Sequence, residues 1–237
     1  MRFKPPPLQR GIEGDLLLTV PSTQYPYESG PLRAVTGPTI RPGGLTLTDR
    51  ALAVCSLAPG AQLLDAGCGP GVSVEHLSSR YGFAVCGVDC SPVLVAEGLN
   101  RNPALLLAVA TAEALPFADA SQDGILCECV LSLLEEPRRA LTEFQRVLRH
   151  GGYLILSDMY SRDGADSSLQ GAVSRVTVEE WLSTHGFATL LWEDHTPLLK
   201  ELAARLILAG GSLEGLCCAA NSAGQRPGYY LLVARKQ

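Results

Sequence analysis

The sequence predicts an α/β fold built on a largely parallel sheet, and three observations carry that prediction. Apolar runs of strand length alternate with amphipathic segments of helix length from about residue 45 onward. Leu63-Leu64-Asp65-Ala66-Gly67-Cys68-Gly69-Pro70-Gly71 climbs to an acid and then places glycine at every second position. That is the pattern of a buried strand ending in a tight turn that lets something approach the backbone closely. The next apolar run, residues 84–89, also ends on an acid, Asp89. Regular strand–helix alternation implies right-handed βαβ units and a parallel sheet.

Residues 1–44 read as an irregular arm, because Pro5-Pro6-Pro7, Pro21, Pro26, Pro31, Pro38 and Pro42 deny it a long helix. It is expected to pack on the domain surface, with Tyr25-Pro26-Tyr27 and Arg41-Pro42-Gly43-Gly44 the parts able to reach over a ligand. A first helix is expected with Thr46 or Thr48 as its N-cap, ending before Pro59-Gly60. A strand at 62–66 then leads through the glycine turn into a helix near 72–81, and a second strand at 84–89 follows. Ser91 caps the next helix, with Pro92 at its first position. Residues 104–109 form a third strand and 123–127, or slightly more, a fourth. A helix over 136–148 turns through His150-Gly151-Gly152 into a fifth strand, 153–158. Residues 161–170 read as a loop. Thr177 and Glu180 read as a capping box opening a helix. Residues 188–192 are a sixth strand, 197–208 and 213–220 two helices, and 229–234 a final strand. No internal repeat is present.

Composition narrows the function. At 237 residues, 46% hydrophobic and 18% charged, the chain supports one sizeable, well-cored domain. A net charge of -5 without a dense Lys/Arg run argues against nucleic acid held through its phosphates. No apolar stretch approaches the roughly 20 residues that span a bilayer, and no long apolar segment follows the basic N-terminus. A cytoplasmic protein with no membrane partner is therefore expected. The eight cysteines include Cys127-x-Cys129 and Cys217-Cys218 but no zinc-type Cys-x-x-Cys, so no metal site is expected and reduced thiols are preferred to a disulfide framework.

The glycine turn admits two cofactors and one plain strand-to-helix turn. A dinucleotide fingerprint, Gly-x-Gly-x-x-Gly, would need glycine at position 72, which is Val72. Asp65, two places before Gly67, would repel a pyrophosphate, whereas it suits a ligand carrying an ammonium and a sulfonium. Asp89, 24 residues after Asp65, stands where an acid accepts hydrogen bonds from ribose hydroxyls. Glu113, in Ala112-Glu113-Ala114-Leu115-Pro116-Phe117, follows the third strand and is placed to meet an adenine edge. Three such elements at the carboxyl ends of successive strands lie where open α/β sheets bind ligands, and the charge pattern favours S-adenosylmethionine over NAD.

On these stretches, together with Gly87-Val88-Asp89-Cys90-Ser91, Asp123-Gly124-Ile125-Leu126 and Arg146-Val147-Leu148-Arg149-His150-Gly151-Gly152, the sequence resembles the class I S-adenosylmethionine-dependent methyltransferases of the type 11 group over roughly residues 45–195. Arg149-His150 replaces the group's usual Lys-Pro before the fifth strand. The resemblance implies a Rossmann-like, seven-stranded, mostly parallel sheet with helices on both faces and an antiparallel C-terminal strand. A methyltransferase domain would then cover 45–237, with a helical insertion near 197–220 serving as a lid or a homodimer surface. Carried over residue by residue, Asp65, Gly67, Cys68 and Gly69 line the methionine end of S-adenosyl-L-methionine. Asp89 holds the ribose, Cys90, Ala112 and Glu113 meet the adenine, and Cys127 or Glu128 lies beside the reacting sulfonium. S-adenosyl-L-homocysteine would be the product.

Methyl transfer needs alignment more than acid or base strength, so no catalytic residue stands out. The stretch Asp158-Met159-Tyr160, after the fifth strand, is the candidate for contact with a small-molecule acceptor, and Asp158, Tyr160 and Cys129 are the weak catalytic candidates. The segment 123–134 also looks like the corresponding stretch of arsenite methyltransferases, with Cys129 and the pair Cys217-Cys218 as thiols for a soft metalloid. Buried cysteines acting as small apolar residues are the preferred account. His76, His150, His185 and His195 are isolated in sequence and read as structural. A non-catalytic cofactor-binding protein and an NAD-dependent dehydrogenase are the rival classes.

Overall fold

A computed structural model describes residues 27–162, 172–211 and 226–237. In chain order the elements are α1 (Pro31–Thr36), α2 (Gly44–Leu52), β1 (Gln62–Ala66), α3 (Val72–Tyr81), β2 (Ala84–Asp89), α4 (Pro92–Arg101), β3 (Leu107–Val109), β4 (Gln122–Glu128), α5 (Pro137–Val147), β5 (Leu148–Ser161), α6 (Arg175–Thr184), β6 (Phe187–Asp194), α7 (Thr196–Leu208) and β7 (Pro227–Lys236). Single 3₁₀ turns lie at Gly37–Thr39 and Leu131–Leu133. The strands form one seven-stranded sheet in the order β3-β2-β1-β4-β5-β7-β6. Pairing is parallel from β3 to β5, and β7 runs antiparallel between β5 and β6. This is the Rossmann-like sheet with one antiparallel C-terminal strand that the resemblance implied.

Both faces of the sheet are covered, which is why its central strands are apolar throughout rather than alternating. One face buries Leu64, Ile125, Leu154 and Leu232 beneath Leu141 and Phe144 of α5 and Val178 and Leu182 of α6. The other buries Leu63, Leu126, Ile155 and Leu231 beneath Leu47 and Ala51 of α2, Val74 and Leu77 of α3 and Leu199 of α7. Connections diverge to either side of β1, from β2 outward and from β4 outward. The switch of direction opens a crevice at the carboxyl ends of β1 and β4, where sheets of this kind hold ligands.

The expected strands at β1 and β2 and the helix α3 fall where the sequence places them, and Ser91 caps α4 by accepting from the Leu94 amide at 3.1 Å. Elsewhere the local signals mislead. Helix α2 starts at Gly44 behind Gly43, whose φ of 72° supplies the turn without any side-chain cap. Thr46 and Thr48 are therefore interior residues, and the helix ends at Leu52. Ser174, not Thr177, caps α6 by accepting from the Thr177 amide at 3.2 Å. The run 104–109 yields only a three-residue β3, because the Asn102 side chain holds the Ala104 amide and its carbonyl holds the Leu105 amide in a turn. β5 begins at Leu148 through an irregular register between Gln122 and Gly124 of β4. The arm read as irregular contains α1, with Pro31 at the helix start where its missing N–H costs nothing. The expected helix 213–220, the pair Cys217-Cys218 and most of the loop 161–170 lie outside the described residues. Among the described residues, no helix is long and apolar enough to cross a membrane.

Candidate functional site

A cavity of about 1160 Å³ sits over the carboxyl ends of β1, β2 and β4. A single drug-sized ligand occupies a pocket of roughly 300–1,000 Å³, so the space admits a cofactor and a second small molecule. The floor comes from loops that follow strands. The walls come from the arm, from α7 and from β7.

The glycine turn owes its shape to backbone angles only glycine adopts readily. Gly67, Gly69 and Gly71 have φ of 82°, 52° and 73°, and the Gly67 and Cys68 amides both donate to the Val88 carbonyl, at 2.7 and 3.0 Å. A Cβ on Gly67 would stand 2.1 Å from Val130 Cγ2. Gly67→Ala is therefore expected to destabilise the chain by about 2–4 kcal/mol through left-handed backbone strain and overpacking, lowering Tm by roughly 5–15 °C. Adding Val130→Ala should return part of that loss in a thermal melt. Cys68 is buried, its Cβ and Sγ at 2.7 Å from where a Cβ on Gly87 would lie. Burial pushes its thiol pKa up, so it serves as a small packing residue of the turn rather than a nucleophile.

Six carboxylates line the cavity: Asp65, Asp89, Glu113 and Glu128, with Glu135 and Glu136 at exposed positions on its rim. Asp89 is held from below: Oδ2 accepts from the Gly69 amide and Oδ1 from the Ser91 amide, each at 2.8 Å. Each oxygen keeps a second lone pair for a ligand. Burial raises the Asp89 pKa, partly offset by those two amides. Asp65 is 3% exposed. Burial, with Glu128 and Asp89 adding to it and Arg41 opposing, pushes its carboxyl up to about 8.

Two arginines line the cavity, Arg139 at an exposed position and Arg41, from the arm, in a buried one. The Arg41 guanidinium lies 2.9 Å from Glu128 Oε2, with side chains 7% and 2% exposed. It donates to Thr48 Oγ1 at 2.7 Å and to Ser73 Oγ at 3.1 Å, and Thr48 donates on to Glu128 Oε1 at 3.0 Å. Burial works against the charge on Arg41, but Glu128, with Tyr229, Asp65 and Cys129 assisting, raises its pKa overall. Ile40, a β-branched residue at φ 53°, precedes it and lies over Gly69. A backbone held in that region marks a segment fixed by its surroundings.

Of the residues expected from sequence, Asp65, Gly67, Cys68, Gly69, Asp89, Cys90, Ala112, Glu113, Glu128 and Cys129 all line the cavity. Cys127 does not: strand alternation turns it into the opposite core, fully buried, while Glu128 faces the cavity. The same alternation removes two acceptor candidates from β5. Asp158 is buried, accepting from the Ser132 amide and hydroxyl and from the Met159 amide, so it braces the loop after β4. Tyr160 packs against Trp192 and Tyr230. Met159 between them lines the cavity. The arm, expected to lie on the surface, contributes Tyr27, Ile40, Arg41 and Pro42 to the walls. Sequence reasoning missed Thr48 and Tyr229. For Tyr229 the signal was available only through pairing, since β7 sets it opposite Met159. Among the described residues no group of three or more His, Cys, Asp or Glu is arranged to hold a metal ion.

Comparison with known proteins agrees with this fold. A sequence profile for a methyltransferase domain, type 11, matches residues 64–156. Malonyl-[acyl-carrier protein] O-methyltransferase of Hahella chejuensis is 37% identical over 103 residues, covering 42% of this chain and 37% of that protein. Phosphatidylethanolamine N-methyltransferase of Cereibacter sphaeroides is 30% identical over 125 residues, covering 50% of this chain and 61% of that protein. The chain thus spans well under two thirds of the length of the first curated relatives it matches. Phosphoethanolamine N-methyltransferase 2 of Haemonchus contortus, solved with S-adenosyl-L-methionine, superposes with a TM-score of 0.70 at 19% identity, over 87% of this chain and 56% of that one. That likeness is one of fold.

Proposed function

Since residues 64–156 carry a type 11 methyltransferase domain, we propose that the chain is an S-adenosylmethionine-dependent methyltransferase acting on a small-molecule acceptor. The observation that carries this reading is the charge of the cavity. Asp65, Asp89, Glu113, Glu128, Glu135 and Glu136 line it against Arg41 and Arg139, and burial, with Glu128 and Asp89 adding to it, pushes the Asp65 carboxyl up to about 8 despite Arg41. A ligand with an ammonium and a sulfonium supplies positive charge there, and a pyrophosphate does not.

The residues fit the cofactor in three places. Asp65 and the Gly67–Gly69 backbone would hold its amino-acid end, the free lone pairs of Asp89 would take the ribose hydroxyls, and Cys90, Ala112 and Glu113 would border the adenine. When bound, S-adenosylmethionine supplies a methyl group activated on a sulfonium. The chain's own part is to hold an acceptor in line with that methyl and to exclude water, for which orientation is the main requirement. The relatives' names include both an O- and an N-methyltransferase, so the domain alone leaves the acceptor atom open. The thiol-assisted metalloid alternative rests on Cys129 and on Cys217-Cys218, the latter outside the described residues.

Calorimetry tests the reading. S-adenosylmethionine and S-adenosylhomocysteine are expected to bind and NAD is not; the reverse pattern would refute it. The titration also carries a pH signature. Between the ordinary carboxylate pKa and about 8, the folded chain without cofactor keeps a proton on Asp65 that the unfolded chain has lost. The contribution of Asp65 to stability therefore falls as pH rises through that window. An ammonium beside Asp65 reverses the preference and expels the proton. Binding at pH 7 should release close to one proton, seen as a heat that varies with buffer ionisation enthalpy. Affinity should climb up to about tenfold per pH unit between roughly pH 6 and 7.5. Asp65→Asn should remove both effects.

A further inference from the structure

We propose that Arg41 is a specificity residue for the cofactor: its guanidinium, with the first turn of α3, takes the carboxylate of the cofactor's amino-acid end while Asp65 takes the ammonium. This deepens the methyltransferase reading and rests on it. It also makes the cofactor a fastening between the arm and the sheet.

The first observation is an unpaired donor. Arg41 directs Nη2 to Glu128, Thr48 and Ser73, and Nη1 to the Thr39 carbonyl at 3.4 Å. The side chain is 7% exposed, and among the described residues its Nε is a buried atom with no hydrogen-bond partner. A buried N–H of a charged group left unpaired is costly, and it marks a place for an acceptor that the chain does not itself supply. Glu128 is met by Nη2, so a ligand oxygen at Nε leaves that ion pair intact.

The second observation is the start of α3. Its N-cap is Gly71, and no side chain caps its first amides. Such amides have no partner within the helix and favour an anion. Val72 and Ser73 of this turn line the cavity together with Arg41, and Ser73 Oγ accepts from the Arg41 guanidinium at 3.1 Å. The helix start and the unpaired donor therefore stand together.

Position assigns the anion to the cofactor. Ile40, immediately before Arg41, lies over Gly69 of the glycine turn, and Arg41 is near enough to Asp65 to oppose the rise in its pKa. The ammonium and carboxylate of an amino acid share one carbon, so holding both requires an acid and a cation within reach of each other. Asp65 and Arg41 are such a pair, and both line the cavity.

The test is calorimetry on the full chain at neutral pH with two probes. These are S-adenosylhomocysteine and its decarboxylated analogue, which keeps the ammonium, thioether, ribose and adenine. The wild type is expected to bind S-adenosylhomocysteine about tenfold or more tighter, the size of a charge-assisted hydrogen bond. In Arg41→Met/Glu128→Leu, which leaves neither charge buried alone, the preference should fall to within about threefold. Arg41→Lys keeps a cation for Glu128 but lacks Nε, and its preference should lie between the two. Each ratio compares two ligands on one variant, so a general loss of affinity cancels. Equal affinities in the wild type overturn the proposal, and so does a preference in Arg41→Lys as large as that of the wild type. Failure of S-adenosylhomocysteine to bind the wild-type chain is a separate result, which overturns the cofactor reading. If the double variant does not fold, the comparison of the wild type with Arg41→Lys decides the matter.

Discussion

Asp89→Ala is expected to weaken S-adenosylhomocysteine binding by about a hundredfold or more, measured by calorimetry at neutral pH. Two charge-assisted hydrogen bonds to the ribose would be lost, each contributing about 1.5–3 kcal/mol. The carboxylate also ties two loops together, since its oxygens take the Gly69 and Ser91 amides at 2.8 Å. Alanine therefore frees two backbone donors in addition to removing the ligand contact. Asp89→Asn separates the two roles. Its single carbonyl can hold one of the amides, so thermal stability should fall less than in the alanine variant while cofactor affinity stays low. Unchanged affinity in both variants would remove the ribose assignment and leave Asp89 a brace between the loops after β1 and β2.

The largest effect on stability is expected at Arg41. Arg41→Ala leaves Glu128, with its side chain 2% exposed, without its cation. Breaking a buried ion pair by deleting one partner costs about 3–5 kcal/mol, which for a chain of this size is a fall in Tm of roughly 6–20 °C. The double variant Arg41→Met/Glu128→Leu should recover most of that stability, because a well-packed apolar pair avoids the desolvation that the charges bear. Calorimetric melts of the single and double variants decide it: a single variant as stable as wild type would mean that the pair holds nothing. Cofactor affinity should fall in the single variant too, since Arg41 is where the arm is fastened over the cavity, through Thr48 and Ser73.

The difference between these two residues explains what could be read from the chain. Asp89 stands at the end of an apolar run, and Asp65 two places before a glycine turn, so both announce themselves within ten residues of sequence. Gly67, Gly69 and Gly71 do so as well, because positive φ is a local demand that composition records. Arg41 makes its contacts across 7, 32 and, through Thr48, 80 residues. No pattern near it distinguishes a buried arginine from a surface one. The phase of a strand is similarly silent at its end. Cys127 and Glu128 were equal candidates, as were Asp158, Met159 and Tyr160, and only the packing of α2, α5, α6 and α7 against the sheet decided which faces the cavity.

The sequence by itself determined the architecture and the strand-end loops that line the cavity floor. Strand and helix periodicity are local properties, and a parallel α/β sheet places the ends of its successive strands together once the strands form. The tertiary structure decided the rest: the arm as a wall, the Arg41–Glu128 pair, and the set Cys129, Met159 and Tyr229. Met159 and Tyr229 meet because β7 inserts antiparallel beside β5, a pairing between segments 70 residues apart that side-chain burial selects. The residues proposed to hold the cofactor sit on loops bound to their own strands, whereas the other walls of the cavity are assembled from elements distant in the chain. The first is therefore legible from sequence, and the second only after folding.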